Sequence, residues 1–258
     1  MRSQASPKDR FLTVYGFRPV LAALADEQLD IDKVIVAHDA RGAAVKDVLR
    51  GAEARGIPVE RATRHRVTLL SGNGRHDNGV LADVVAPRMR VLTDALAARP
   101  HERPETVLVL DGIKTPANIG MILRTATAAG VGGVIVPHKG TADLDPLVVK
   151  ASAGVAFNAS ILRCTTPEEG VEQLVEAGYT IAGLSADGST PLFDAELAAP
   201  VAFVLGSEGH GISPGVRPYV AEWVQIPMPG DVESLNVASA AAVVSFELVR
   251  RGLTAGAT

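Results

Sequence analysis

The sequence predicts an α/β protein, with a parallel-sheet C-terminal domain preceded by a smaller α/β domain. Three observations predict it. Apolar residues make up 47% of the 258 residues but aromatics only 4%, so the core is built from Ala, Val, Leu and Ile. That composition suits Val-rich parallel strands covered by Ala-rich helices. From residue 105 onward, short apolar runs alternate with helical patterns, as a doubly covered parallel sheet requires. Charge also divides along the chain: residues 1–104 carry 17 Lys/Arg against 13 Asp/Glu, and residues 105–258 carry 8 against 16. The split reads as a basic docking module joined to an acidic module, with chance clustering as the plain alternative.

Taken in order, residues 1–10 read as a disordered leader and residues 11–96 as the first domain. Phe17 to Leu24 has helical spacing, with Pro19 tolerated in a first turn. Lys33 to Ala37 (KVIVA) is a short strand. Val45 to Ala54 is an amphipathic helix with Gly56 where a terminating glycine belongs, and Ile57 to Glu60 is a second strand. The stretches 61–66 (RATRHR) and 71–79 (SGNGRHDNG) lack periodicity and read as basic or loop-like segments. Residues 97–104 (AARPHERP) hold two prolines and mixed charge, which marks a linker.

The second domain, 105–258, alternates more cleanly. Strands are expected at 106–110, 133–137, 160–163, 179–185, 201–205 and 224–226. Helices are expected at 118–129, 146–151, 167–176 and 237–250. Glu168, Glu169 and Glu172 sit early in their helix, where the dipole favours anions.

Several chemistries find no support. The single cysteine, Cys164, excludes an intramolecular disulfide and reads as a small buried residue. No Cys/His grouping has zinc spacing and HExxH is absent, so no metal is expected. No apolar run reaches the roughly 18 residues of a membrane span, and the N-terminus lacks an apolar signal core. A cytoplasmic location without a membrane partner is the expectation.

In a parallel sheet, ligands bind beyond the C-terminal ends of the strands, so the segments after each strand matter most. After Leu110 comes DGIKTPANIGMILRTA, where Asn118 opens a helix and Arg124 sits among Ile122, Leu123 and Ala126. A cation in that apolar setting needs a partner or a function; a structural ion pair is the plain alternative. After Leu205 comes GSEGHGIS, whose glycines let a backbone approach a ligand closely around Glu208. Its GxxGxG spacing is not the GxGxxG of dinucleotide folds. After Ile226 comes PMPGDVESLNVASAAAVV, in which Ser234 and Asn236 precede an Ala-rich helix and equally suit a simple N-cap pair.

The ordered set NIGMILRTA, FVLGSEGHGIS and VQIPMPGDVESLNVASAAAV resembles the SpoU/TrmH branch of the SPOUT methyltransferases, over roughly residues 105–252. The stretch YGFRPVLAAL…KVIVAH resembles the small ribosomal-protein-like domain that precedes the catalytic domain in ribosomal RNA members. Less specifically, HDNGVLADV echoes a segment of those members.

That resemblance implies a C-terminal trefoil knot, a homodimer formed through the C-terminal domain, and S-adenosylmethionine-dependent methylation of an RNA ribose 2′-hydroxyl. A ribosomal RNA nucleotide is the expected target. Transfer RNA methylation and a non-catalytic RNA-binding assembly factor are the alternatives. By the same resemblance, Asn118, Arg124, Glu208, Ser234 and Asn236 are the catalytic candidates, with Arg124 activating the ribose. Leu184, Ser185, Leu205, Gly206, Ile226 and Leu235 are the cofactor candidates. In the basic first domain, Arg18, Arg61, Arg64, Arg66, Arg75 and Arg88 are the candidate RNA contacts, because arginine pairs well with phosphate.

Overall fold

The structure, a computed structural model, describes residues 9–72, 74–230 and 232–254. Most of the expected leader lies outside the described residues. The chain forms two compact units, the first running to Pro87 and the second beginning at Arg88.

The first unit contains β1 (Phe11–Tyr15), α1 (Phe17–Ala25), β2 (Ile31–Ala37), α2 (Ala43–Ala54), β3 (Val59–Ala62), α3 (Arg64–Ser71) and β4 (Val80–Val85). Its sheet runs β1-β4-β2-β3, with β4 antiparallel to β1 and β2, and β3 parallel to β2. The expected helices and strands appear, and Gly56 adopts the left-handed φ of +64° just past α2. The structure adds three elements. β1 and β4 pair with each other. The basic run 61–66 is not a loop throughout: the Thr63 side chain accepts the Arg66 N–H at 3.2 Å and starts α3. That helix buries only Val67, so its arginine-rich start gives almost no apolar periodicity to read.

The second unit contains β5 (Arg90–Val91), α4 (Leu92–Leu96), β6 (Thr106–Leu110), α5 (Pro116–Ala128), β7 (Gly133–Ile135), α6 (Pro146–Ala151), β8 (Ile161–Arg163), α7 (Pro167–Glu176), β9 (Thr180–Leu184), β10 (Thr190–Pro191), β11 (Val201–Leu205), β12 (Glu222–Gln225) and α8 (Val237–Arg250). Its sheet order is β10-β12-β9-β11-β6-β7-β8-β5, and every pairing is parallel. The six expected strands are all present, and the two extra ones, β5 and β10, are two-residue margins. Residues 90–96 belong to this unit, because β5 pairs with β8 and Leu92, Ala95 and Leu96 join its core. The unit boundary therefore falls before the 97–104 segment that the prolines suggested, and Pro100–Glu102 there form a short 3-10 turn.

β6 and β11 are buried along their whole length and lie side by side. The chain leaves β6 toward β7 on one side, and leaves β11 toward β12 on the other side of β9. Such a reversal opens a crevice beyond the strand ends, and the loops after Leu110 and Leu205 flank it. α5 packs against α8. Gly120 permits a close approach on the other side of α5, since a Cβ there would lie 2.5 Å from the Val148 carbonyl oxygen.

Cys164 is buried beside Gly170, and burial pushes its thiol up to about 12. The thiolate is the reactive form. In the native protein at pH 7–8, Cys164 should therefore resist Ellman's reagent and react fully in denaturant. Rapid stoichiometric labelling of the folded chain would contradict the burial.

Candidate active site

Three segments meet at the crevice. α5 begins at Pro116, which needs no N–H partner in a first turn, and so Asn118 lies in that first turn. Asn118 is only 5% exposed. The loop after β11 folds on itself through a reciprocal pair: the Ser207 N–H donates to the Gly211 carbonyl at 3.0 Å, and the Gly211 N–H donates to the Ser207 carbonyl at 2.9 Å. Glu208 sits at the tip of this loop. Gly206 is required beneath it, because a Cβ there would come within 2.2 Å of the Gly211 carbonyl carbon. Asn236 caps α8, its side-chain oxygen accepting the Ala238 N–H at 2.9 Å.

These three side chains form one cluster. Glu208 Oε1 accepts from Asn118 Nδ2 at 2.9 Å and from Asn236 Nδ2 at 2.8 Å. Asn236 Nδ2 also approaches Asn118 Oδ1 at 3.3 Å. The segments read separately as a turn, a cap and a helix start therefore hold a single carboxylate oxygen. The cap and the site are one device, so the alternative reading of Asn236 is correct without being complete.

Asp111, the first residue after β6, secures the same loop from below. Its carboxylate accepts the Ser213 N–H at 2.6 Å. Burial raises its carboxyl above the ordinary value, opposed by the hydrogen bonds from Ser213.

A cavity of about 340 Å³ lies against the Glu208 loop. Leu184, Ser185, Leu205, Gly206, Ile226 and Leu235 all line it, as do Glu208 and Ser234. The six cofactor candidates thus converge, together with two of the catalytic candidates. The sequence reading missed Trp223, Met228 and Arg217 in the same wall. Arg217 stacks its guanidinium 5.7 Å from the Trp223 ring centroid. The one tryptophan of the chain, beside a strand already flagged, was the available signal.

Arg124 requires a correction. Its apolar sequence neighbours suggested a buried cation, but the side chain is exposed. Ile122, Leu123 and Ala126 face the core while Ala117, Met121, Arg124 and Ala128 share the outer stripe of α5. Six residues place Arg124 about 240° around the helix from Asn118, and it lines neither the cavity above nor the Glu208 cluster.

The candidate RNA contacts Arg18, Arg61, Arg64, Arg66, Arg75 and Arg88 are all exposed. Arg61, Arg64 and Arg66 run from the end of β3 into α3. Arg66 pairs with Glu60 at 3.0 Å, and Arg64 lies 3.9 Å from Asp39 and 4.0 Å from Asp77. Arg88 falls in the second unit.

A family model described as the SpoU rRNA Methylase family matches residues 105–246. The chain belongs to this SpoU family. A second model, for RNA 2'-O ribose methyltransferase substrate binding, matches residues 13–90, which cover most of the first unit. A putative TrmH family tRNA/rRNA methyltransferase of Staphylococcus haemolyticus is 34% identical over 86% of this chain and 88% of its own length. The 23S rRNA (guanosine-2'-O-)-methyltransferase RlmB of Ralstonia nicotianae is 34% identical over 92% and 94%. Among solved structures, the SpoU methyltransferase AviRb of Streptomyces viridochromogenes, in complex with AdoMet, is 26% identical with a TM-score of 0.60, covering 93% of this chain and 90% of that one. A putative TrmH-family RNA methyltransferase from Porphyromonas gingivalis is 27% identical with a TM-score of 0.61, covering 95% and 91%. The matched residues of these relatives cover both units and not the sheet of the second alone.

Because Asn236 is both a cap and an amide donor, the two contributions separate by substitution. Asn236→Ala, which loses both the cap and the amide, should lower the unfolding free energy by about 1 kcal/mol more than Asn236→Ser, which loses the amide but keeps a capping oxygen. Urea unfolding measures both, and equal losses would remove the cap from the account.

Proposed function

We propose that the chain transfers the methyl group of S-adenosylmethionine to a ribose 2′-hydroxyl of RNA, with a ribosomal RNA nucleotide as the target. The observation that carries this reading is the cavity in which all six cofactor candidates meet a wall built on Glu208, itself held by Asn118 and Asn236. The relatives named for 23S rRNA methylation and for a bound AdoMet support it, as does the substrate-binding match over the basic first unit. A ribosomal RNA substrate favours a cytoplasmic location. No helix among the described residues is long and apolar enough to cross a membrane.

The residues present suit the cofactor. A volume of about 340 Å³ falls within the usual range for a small-molecule site. Leu184, Leu205, Ile226 and Leu235 offer apolar surface for a flat base, and the close backbone at Gly206 offers main-chain groups for its edge. When bound, S-adenosylmethionine supplies a methyl group on a sulfonium, already a good electrophile. The chain's own task is then to align a ribose hydroxyl and to handle its proton.

Glu208 is arranged for alignment. Both amide bonds fall on Oε1, and no donor among the described residues engages Oε2. That oxygen is available to accept a hydrogen bond from the ribose. Ser234, in the same wall, completes the polar rim. In this reading the Arg124 guanidinium stabilises the developing alkoxide.

The exposure of Arg124 leaves it free to serve a second copy of the chain. We infer a homodimer in which the outer stripe of α5 reaches the partner's Glu208 cluster. Met121 and Phe246 support this, being large apolar side chains left exposed on the mutually packed α5 and α8. The trefoil knot expected of this family is part of the same proposal.

Complementation tests the arrangement. Arg124→Ala and Glu208→Ala chains should each lose at least about 100-fold in methyl transfer to ribosomal RNA, a loss typical of a removed transition-state contact. Mixed at equal amounts and allowed to exchange, they should recover about a quarter of wild-type activity, since random pairing makes half the dimers mixed, with one complete site each. Recovery of nothing would return Arg124 to its own chain's site.

A further inference from the structure

A second and larger cavity, about 660 Å³, lies on the other side of the Glu208 loop. Residues 207–210, including Glu208, line both cavities. Whatever fills the second cavity therefore meets the same carboxylate that borders the first.

The rest of its wall comes from Ser213, the start of α7 and the loops after β6 and β7, neighbouring strands of the sheet. The loop after β6 contributes Lys114 and the loop after β7 contributes Lys139. Both are exposed, and neither takes part in an ion pair among the described residues.

The three carboxylates in this wall each accept a hydrogen bond from a neutral group. Asp111 accepts the Ser213 N–H at 2.6 Å, Glu168 accepts from the Ser213 hydroxyl at 3.4 Å, and Glu208 holds the two amides. The two helix starts that reach the cavity differ in the same sense. α7 begins with its N-cap Thr166 bonded to the Glu169 N–H and two glutamates in its first turn. α5 begins at Thr115 without a side-chain cap or an acidic residue in its first turn, and the carboxylate that reaches this turn is Glu208, through Asn118. Lys114 and the α5 terminus thus add positive potential beside Asn118, and Lys139 adds it from the next strand.

We propose that this second cavity receives the acceptor nucleotide of the RNA, with Lys114 and Lys139 contacting the phosphates on either side of it. The inference rests on the RNA-acceptor reading above and specifies where that acceptor enters. A volume of about 660 Å³ accommodates an unstacked nucleotide, and single-stranded or splayed nucleotides are what RNA-reading proteins most often bind. A nucleotide seated there turns its ribose toward Glu208, across the loop from the cofactor cavity. Lysine suits the role because an ammonium meets phosphate as a point charge without fixed orientation.

The test compares wild type with Lys114→Ala, Lys139→Ala, the double alanine variant and the double arginine variant, all as the full chain. The probe is total ribosomal RNA from cells lacking this enzyme, with methyl-labelled cofactor. In the double alanine variant KM for RNA should rise at least about tenfold. The slope of log(1/KM) against log salt should flatten by about 1.4, the value for two phosphate contacts on a single strand. Cofactor Kd and Tm should not move, and the double arginine variant should restore the slope. A double alanine variant with wild-type KM and salt slope would overturn the proposal. A wild-type chain that binds the cofactor yet methylates no RNA would instead overturn the underlying reading, and the proposal with it.

Discussion

One carboxylate oxygen organises the second unit. Glu208 Oε1 accepts from two side-chain amides, one 90 residues before it and one 28 residues after it. A carboxylate hydrogen bond is worth more than a neutral one and is costly to leave unmade. The three loops that carry these residues are therefore mutually dependent. The start of α5 cannot shift without moving Asn118, and the start of α8 cannot shift without releasing both its cap and its amide. Asp111 extends the dependence to the strand end itself, since it sits directly after β6 and fixes the far side of the Glu208 loop through Ser213.

The sheet makes this convergence possible. β6 and β11 are adjacent and parallel, so the loops that follow them emerge at the same edge. Because the chain leaves the two strands in opposite directions, the loops that follow them border a crevice. Gly206 and Gly211 then allow the Glu208 loop to close on itself, the first by tolerating a backbone at 2.2 Å from where a Cβ would be, the second by adopting a φ of +63°. The loop divides the crevice into two cavities and presents one side chain to both. A site for two substrates needs such a wall: each must be held separately, and each must reach the same reacting groups.

Most elements with strong patterns were legible in the sequence, although β1 (FLTVY) and β4 (VLADVV) were missed despite theirs. Val201–Leu205 and Thr106–Leu110 are continuous apolar runs, and Val237–Arg250 has uniform Ala/Val content, so each was placed to within a residue or two. α3 escaped because its buried face is a single residue, Val67. β5 escaped because a two-residue strand carries no period, which also displaced the expected domain limit. At the site, the family resemblance singled out Asn118, Glu208 and Asn236 as candidates, but no spacing argument could show that all three share one cluster. That link depends on strand order, which is a non-local property. Lys114 and Lys139 were invisible for the same reason: they become neighbours only when β6 and β7 pair.

Arg124 shows how local context misleads. Ile122, Leu123 and Ala126 flank it in sequence, yet on a helix adjacent positions point in different directions. The informative neighbours are Ala117, Met121 and Ala128, at spacings of seven, three and four, and all are exposed. A cation at such a stripe has no burial to compensate, so the demand for a partner that motivated the sequence reading disappears. What replaces it is a different demand. An exposed methionine beside the arginine, and an exposed phenylalanine on the packed neighbouring helix, are surface that water disfavours. In the proposed dimer the same contact that covers this surface carries Arg124 to the partner's Glu208. The separation of Arg124 from its own chain's cluster is then what makes two copies necessary for one complete site, and assembly becomes a condition of catalysis.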